Sequence, residues 1–466
     1  MNAFRTLVLL AGAASLTACN MAPTYVRSVA DYVPPEWPQG AAYAPGQEGA
    51  AGMPWRTLVG DENLRQVIEQ ALSRNQDLAA AVANVEMARA QYRSQRSREA
   101  PTLTAGAGAS VQRTLGGPQT AGTGDTTQFS GTVGISGFEI DLFGRLKNLS
   151  RQAFEQYLAS ESGARSTRFA IVAETATAYA TLAADQDLLD VAQRQVKSGE
   201  ETVRLTRKLH DAGLVSGSDV ANAQTILAQA KADVESYTTR VAQDRNALEL
   251  LAGGRIDDAM LPAGLAALDT GVANVPAGLS STVLLDRPDV VEAEHQLKGA
   301  NANIGAARAA FFPTISLTSV IGVASNALTS LFSGPTSTWS ANPSVSLPVF
   351  GGANRGNLDY AKAQSDYALA TYRKAAQTAY KEVSDGLARR GTIVRQREAQ
   401  ADLVAAANKS WTVADARYRQ GIDSFLTALV AQRTLYAAQQ SEIGLTLTDI
   451  ANRIALYQSI GSDDSL

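Results

Sequence analysis

The sequence is short of the residue types on which catalysis and cross-linking depend. It has one cysteine, Cys19, so it can form neither an internal disulfide nor a cysteine-rich zinc site. Its two histidines, His210 and His295, are expected to be surface residues rather than a metal pair. No Walker motif occurs, and Gly351, Gly352 and Gly356 lack the strand and helix that a dinucleotide-binding loop needs. We therefore expect no enzyme activity, no catalytic residues, no cofactor and no bound metal.

Net charge and long hydrophobic runs are also scarce. The formal net charge of −4 argues against nucleic acid as a partner. Aromatic residues make up only 6% of the chain while hydrophobic residues make up 45%, and alanine fills the difference, which favours closely packed helices. Beyond the N-terminal region no apolar run reaches 18 residues. If the chain spans a membrane, we expect it to do so with strands closed into a barrel.

The single cysteine follows a short leader, MNAFRTLVLLAGAASLTAC. Its apolar core, Leu7 to Leu16, is too short to cross a bilayer as a helix. Leu16 to Cys19 resembles the bacterial lipobox, whose cysteine is lipidated and becomes the mature N-terminus. Asn20 follows, and not the aspartate that resembles an inner-membrane retention signal. We expect a signal peptide over 1–18 and an outer-membrane lipid anchor at Cys19; the alternative is an ordinary signal peptide with a chance cysteine.

Two turns of the chain carry nearly the same sequence. GLVSGSDVANAQ begins at Gly213 and GIDSFLTALVAQ begins at Gly421, a separation of 421 − 213 = 208 residues. Pro101 and Pro313 correspond at an offset of 212, the difference of their numbers. These matches predict an internal duplication of a unit of about 200 residues, much longer than a solenoid repeat.

Each unit has the pattern helix, β-hairpin, long helix, returning helix. Prolines end the first helices, expected at about 60–100 and 281–311, and alternating apolar and small polar residues predict hairpins at about 102–141 and 314–349. Such strands are typical of bilayer-spanning barrels, and four cannot close one, so several chains must contribute. The helix from Arg145 to about His210 would be ~99 Å long. The expected segments are 1–18, 19–59 (extended), 60–252 (first repeat), 253–280 (irregular linker), 281–459 (second repeat) and 460–466 (tail).

Four stretches carry a family resemblance: RPDVVEAEHQL from Arg287, GAARAAFFPTISL from Gly305, EIDLFGRL from Glu139 and ARYRQG from Ala416. With the lipobox and the duplication, the chain resembles TolC-type outer-membrane efflux ducts, in the lipoprotein, OprM-like branch. The resemblance implies a mainly α homotrimer with a twelve-stranded transmembrane β-barrel and a twelve-helix coiled-coil periplasmic tunnel. It also implies a periplasmic adaptor (membrane fusion) protein and an inner-membrane, proton-driven RND-type transporter as partners, in a tripartite pump that exports drugs and other small organic molecules.

The second turn carries the candidate periplasmic gate. Asp423, Leu426, Val430 and Arg433 recur at helical spacing and share one face, which predicts either a lumen-facing constriction or a coiled-coil seam. The family often places aspartates at the positions of Thr427 and Val430. This chain has neither, so we expect a constriction that is not acidic unless Asp423 supplies the charge.

The resemblance also implies a latch between the turns. Asp219 on the first hairpin is expected to form a hydrogen bond with Tyr418 on the second, which would keep the periplasmic mouth shut. The family's arginine partner is replaced by Asp423. The alternative is that Asp219 only caps its helix.

Two other functions remain open at this point. A duct of a type I protein-secretion system could have the same architecture. A structural, periplasm-spanning coiled-coil lipoprotein without a pore could share the helices.

We predict that Cys19 carries lipid but that the strands are the main membrane attachment. The test replaces the lipobox signal with a cleavable, non-lipid one and extracts the membranes with high salt. The protein should stay in the membrane fraction, because bilayer-spanning strands bind more firmly than lipid chains. Release into the soluble fraction would show that the lipid does the anchoring.

Overall fold

A computed structural model describes residues 20–27, 33–43, 53–114, 124–274, 280–461 and 463. Cys19 and the signal peptide predicted over 1–18 lie outside these ranges. The chain forms two compact units: the first comprises Met1–Arg27, Asn84–Glu161 and Glu292–Tyr372, and the second Ser28–Ala83, Ser162–Val291 and Arg373–Leu466. Each unit takes segments from both halves of the sequence. The compact units therefore cut across the predicted repeats, because each repeat gives its hairpin to one unit and most of its helices to the other.

The described elements follow in chain order: α1 (Trp55–Leu58), α2 (Glu62–Arg74), α3 (Gln76–Ser97), β1 (Leu103–Thr114), β2 (Gly124–Ile140), α4 (Arg145–Asp211), α5 (Gly217–Leu251), α6 (Leu265–Gly271), α7 (Pro288–Ala309), β3 (Thr314–Ser325), β4 (Ser337–Ser346), α8 (Ala353–Arg419) and α9 (Phe425–Ile460). Short 3₁₀ turns lie at Asp258–Met260, Ser281–Asp286 and Leu328–Ser330. Among the helices of the described ranges, none combines the length and the apolar character that crossing a bilayer requires.

The lengths of the helices confirm the duplication. The long helices α4 and α8 have 67 residues each, and the returning helices α5 and α9 have 35 and 36. Neither half contains a proline within these helices, so nothing in the sequence interrupts their hydrogen bonding. The same arrangement of elements is thus built twice from one chain.

The first helix of each repeat is broken where a single helix was expected. In the first repeat the break is at Asn75, whose backbone is extended and whose side-chain oxygen accepts hydrogen bonds from the backbone N–H groups of Asp77 and Leu78 at 2.9 and 3.0 Å. In the second repeat it is at Arg287, directly before Pro288. A residue before a proline rarely adopts the helical conformation, which explains the break at Arg287. At Asn75 the side chain accepts hydrogen bonds from backbone N–H groups that a continuous helix would use itself.

The first unit contains a four-stranded antiparallel sheet in the order β1-β2-β3-β4. Strand β2 begins at Gly124, and its first residues, 124–128, pair with β1. Its pairing with β3 shifts between Ile135 and Phe138, where Gly137 has a φ of +61° and its N–H donates to Thr318 Oγ1 at 3.0 Å. A bulge of this kind needs glycine because of the positive φ.

One face of the sheet carries an exposed apolar row. Ala105, Val133, Ile321 and Trp339 are opposite one another across all four strands. Ile321 is 66% exposed and Trp339 is 80% exposed. Exposed apolar rows of this size mark a surface that another molecule or a lipid phase covers.

The N-terminal segment 20–27 is attached to helices of the first unit. Asn301 Nδ2 donates to the Pro23 carbonyl at 2.7 Å, and Tyr25 Oη and Arg27 Nη2 donate to the buried Glu294 carboxylate at 2.9 and 2.8 Å. The segment 20–27 contains neither helix nor strand.

In the second unit Asp463, near the end of the described residues, is packed against distant parts of the chain. The buried Asp463 carboxylate accepts hydrogen bonds from the Trp55 backbone N–H and from Tyr457 Oη, both at 2.7 Å. Trp55 begins the short helix α1, so the expected extended region 19–59 also contains a helix. An aspartate so near the end of the sequence gave no signal for this role, because Trp55 is distant in the chain.

The linker 253–280 is more regular than expected, since it contains helix α6 and a 3₁₀ turn. Asp269 at the end of α6 accepts from Arg397 at 2.6 and 3.0 Å and from Arg453 at 3.0 Å, and Asp449 bridges the same two arginines. Hydrogen bonds from Arg397 are the main cause of the lowered pKa of Asp269. This network ties the linker to α8 and α9.

Candidate functional site

The two hairpin turns at Gly213 and Gly421 have the same backbone. Gly213 has a φ of +75° and its N–H donates to the His210 carbonyl, while Leu214 donates to Leu209, both at 2.8 Å. Gly421 has a φ of +72°, and the corresponding bonds run from Gly421 to Tyr418 and from Ile422 to Arg417, both at 2.9 Å. Paired bonds of this type close a helix with glycine in the left-handed region.

The helices that follow the turns begin differently. Ser216 caps α5: its Oγ accepts from the Asp219 N–H at 3.2 Å, and the Asp219 carboxylate accepts from the Ser216 N–H at 3.0 Å. This reciprocal pair is a capping box. In the second turn Ser424 makes no such cap, and its Oγ is 3.3 Å from Thr427 Oγ1 instead. The carboxylate that closes the first cap has no counterpart in the second.

Tyr418 lies in a buried cluster where the two hairpins meet. It is 3% exposed, and its ring packs against Phe425 with a centroid separation of 5.4 Å. Val203 of α4 and Ala428 of α9 belong to the same cluster. Tyr418 Oη forms a 2.9 Å hydrogen bond with Thr206 Oγ1, and Thr206 is fully buried. This bond joins the end of α8 to α4.

The predicted Asp219–Tyr418 hydrogen bond is not formed in this structure. Within the described residues, the Asp219 carboxylate bonds to Ser216 and the Tyr418 hydroxyl bonds to Thr206. The physical reason is that Asp219 occupies the third position of its helix, where the capping box engages its carboxylate. Asp219 acts on Tyr418 through its charge: burial raises the pKa of Tyr418, the bond to Thr206 opposes this, and Asp219 raises the pKa further.

Asp423 is neutralised by a residue of its own hairpin. Arg417 Nε and Nη2 donate to its two carboxylate oxygens at 2.6 and 2.9 Å, a bidentate pair. The hydrogen bonds from Arg417 lower the pKa of Asp423. Because the folded pKa is lowered, the pair contributes stability at neutral pH that is lost only as the pH falls through that lowered pKa. Asp423 therefore does not supply an uncompensated acid to the candidate gate.

The other gate candidates lie on one exposed face of α9. Leu426 is 61% exposed and Val430 is 56% exposed, and Arg433 continues the same face. Asp423 precedes the helix and does not belong to this face, which corrects the prediction that all four share it. Val430 and Arg433 border a groove of about 830 Å³ between α5 and α9.

Polar contacts hold α9 against the first hairpin along its length. Gln432 Nε2 donates to Ser198 Oγ at 3.1 Å, and Tyr436 Oη donates to Asp233 Oδ2 at 2.8 Å. Further along, Gln440 Nε2 donates to Tyr237 Oη at 3.1 Å. The second hairpin can therefore move relative to the first only if these hydrogen bonds break or shift.

No side-chain group of the kind that holds a metal ion occurs in the part of the chain that the structure describes. His210 Nδ1 is 3.0 Å from the Val215 carbonyl oxygen, within its own turn. His295 Nδ1 is 2.7 Å from the Glu155 carboxylate. The partner of His210 thus lies in its own turn, whereas the partner of His295 lies on another helix.

Sequence reasoning missed Thr206. A signal was present, since Thr206 lies at helical spacing between Val203 and Leu209 and is thus a polar residue on an apolar face. Its partner could not be deduced, because Tyr418 lies on another helix more than 200 residues away.

Comparisons with known proteins bear on the whole chain. The family described as outer membrane efflux protein matches residues 67–254 and 279–462. The chain is similar to two proteins of Pseudomonas putida, the antibiotic efflux pump outer membrane protein ArpC and the toluene efflux pump outer membrane protein TtgC. Each is 45% identical over 455 residues, which cover 96% of this chain and 93% of the relative.

A solved structure is similar in fold. The open state of the Neisseria gonorrhoeae MtrE outer membrane channel matches with a TM-score of 0.83 at 33% identity, over 96% of this chain and 99% of that one. The curated relatives and this structure are outer-membrane transport proteins by their names.

We expect the Thr206–Tyr418 hydrogen bond to couple the two hairpin tips. Thr206→Val and Tyr418→Phe each remove one hydroxyl with little change in shape, and a buried hydroxyl left without its partner costs about 1–3 kcal/mol. Each variant should speed hydrogen–deuterium exchange in the peptides around 198–216 and 411–430. The double variant should be less destabilised than the sum of the two singles, because neither hydroxyl then lacks a partner.

Thr225→Val is the matched control, since Thr225 Oγ1 donates only to its own helix, at the Ala221 carbonyl at 3.0 Å. Its exchange should match that of the parent at both tips. Strictly additive effects of the two hydroxyl deletions would show that the bond does not couple the hairpins.

Proposed function

The chain belongs to the outer membrane efflux protein family and is the outer-membrane channel component of an efflux pump, and from this membership we propose that it works as a passive, gated duct for drugs and other small organic molecules. The observation that carries the proposal is the match of both repeats to the family, together with two like hairpin turns held against each other by a buried contact. The duct performs no chemistry in this proposal.

We propose that three copies form the duct. In one chain, β1 and β4 are the edges of the sheet, and each has an unpaired row of backbone N–H and C=O groups. In a lipid phase such groups must find partners, so open edges are not tolerated there. Three copies supply twelve strands, with β4 of one chain pairing with β1 of the next, and the exposed row that includes Ile321 and Trp339 would face lipid.

The proposed partners are a periplasmic adaptor protein and an inner-membrane, proton-driven transporter of the RND type. The relatives are named as parts of efflux pumps, and a pump needs an energy source that a passive duct lacks. The equal turns at Gly213 and Gly421 support the adaptor: three chains with two turns each would present six similar hairpin ends to a ring of adaptor subunits.

The two relatives with equal identity support a broad substrate range. One is named for antibiotics and the other for toluene, which are chemically different kinds of compound. We propose that the transporter makes the main selection and that the duct passes what it receives. Cys19, outside the described residues, is the proposed lipid anchor.

We predict that the purified chain in a planar bilayer gives stepwise conductance, and that deleting its gene lowers tolerance to both an antibiotic and toluene. Complementation with the chain should restore both tolerances, because one duct serves the pump for either compound. Protein inserted without conductance would favour a structural lipoprotein. Unchanged tolerances with loss of a secreted protein would favour type I secretion, the second candidate.

A further inference from the structure

The arginines near the tip of the second hairpin differ in their partners. Arg417 is paired with Asp423, and Arg419 is paired with Asp415 at 2.7 Å and lies 3.7 Å from Glu201. Arg433 has no ion pair and no hydrogen bond within the described ranges of the chain. An exposed guanidinium without a counter-ion is a binding group for anions, since it is always charged and presents a planar fork of donors.

Arg433 borders the groove between α5 and α9, which has a volume of about 830 Å³. None of the described residues that line it is a carboxylate. Ile226, Leu429 and Val430 give the groove apolar walls, and Asn222 adds an amide that can donate. The described lining of the groove thus combines apolar side chains with several amides and hydroxyls and a single charged group, Arg433, and apolar surface with polar groups that fix orientation is typical of small-molecule sites.

Asp233 follows the groove residues on α5, and its carboxylate accepts hydrogen bonds from neutral groups. Asp233 Oδ1 accepts from Gln229 Nε2 and Oδ2 accepts from Tyr436 Oη, each at 2.8 Å. The charge of Arg433 is therefore not neutralised by this acid through direct contact. Asp423 is likewise held by Arg417, so neither acid competes with an incoming anion for the Arg433 guanidinium.

We propose that this groove is a subsite for organic anions that have an apolar body, with Arg433 holding the acidic group and Ile226, Leu429 and Val430 contacting the rest. Bidentate, charge-assisted hydrogen bonds fix the acid, and burial of apolar surface adds affinity. The inference rests on the proposed duct function and deepens it: three copies place three such sites in the assembly, so anionic molecules are favoured over cationic ones.

The test uses the purified full-length assembly in detergent and isothermal titration calorimetry with three probes of one shape: naphthalene-2-sulfonate, neutral 2-naphthalenemethanol and cationic 2-naphthylmethylammonium. The parent should bind the sulfonate most tightly and the cation most weakly. Arg433→Gln should weaken sulfonate binding by about tenfold while changing binding of the neutral probe little, as expected for the loss of a hydrogen bond to a charged group.

Two further variants test whether the charge of Arg433 is responsible, and a third tests whether the planar shape of its guanidinium matters. Arg419→Gln removes a paired arginine of the same hairpin and should leave sulfonate affinity unchanged. Val430→Asp places a carboxylate three residues before Arg433 on the same helix face, where the two can pair, so it should weaken sulfonate binding as Arg433→Gln does. Arg433→Lys should keep part of the preference, because the charge remains but the fork is lost.

Equal affinity for the three probes, or sulfonate binding that survives Arg433→Gln, would overturn the anion site and leave only apolar partitioning. Conductance of the parent in planar bilayers, measured on the same preparation, separates this result from the duct function. A conducting parent without charge preference contradicts the subsite alone. A parent that prefers the sulfonate but never conducts contradicts the duct and leaves the subsite standing.

Discussion

The fold depends on one constraint: four strands of a single chain leave two sheet edges unpaired. The edges at β1 and β4 carry rows of backbone groups that a lipid phase cannot satisfy, which is why we propose that each edge pairs with a strand of a neighbouring copy. Duplication doubles the number of strands in each chain, because each half gives one hairpin and one helix of 67 residues. A channel assembled from whole chains then has an even distribution of hairpins around its axis.

Duplication also explains why two like turns carry different polar groups. The backbone at Gly213 and Gly421 is the same, since both helices must reverse within a few residues. The reversal of the chain does not determine the side chains near the two turns, so these can differ. Asp219 stabilises the start of its own helix, whereas Tyr418 reaches across to Thr206 and Asp423 is held by Arg417. Asp219 and Asp423 thus each stabilise their own hairpin, whereas Tyr418 and Thr206 form a contact between the two hairpins.

The sequence predicted features that depend on neighbours in the chain. The glycine turns, the long helix from Arg145 to about His210 and the hairpins after Pro101 and Pro313 follow from local rules of backbone geometry. Contacts between residues far apart in the sequence were beyond those rules, because the pairing of Thr206 with Tyr418 and of Asp463 with Trp55 depends on packing geometry. The break at Asn75 was missed for a different reason, because asparagine competes for helix-start N–H groups only in some contexts.

The most direct test of the account is cross-linking of β1 in one chain to β4 in the next. Ala341 of β4 and Ala105, Ala107 and Ala109 of β1 share one face of the sheet, so cysteine at Ala341 can be combined with cysteine at each β1 position in turn, which covers the unknown offset between chains. Oxidation in the membrane should give at least one pair whose denaturing gel shows a ladder ending at three chains, while the single Ala341→Cys variant shows none. A ladder that continues to four or more chains, or no cross-link from any pair in folded, membrane-inserted protein, would contradict a trimer closed through these two edges.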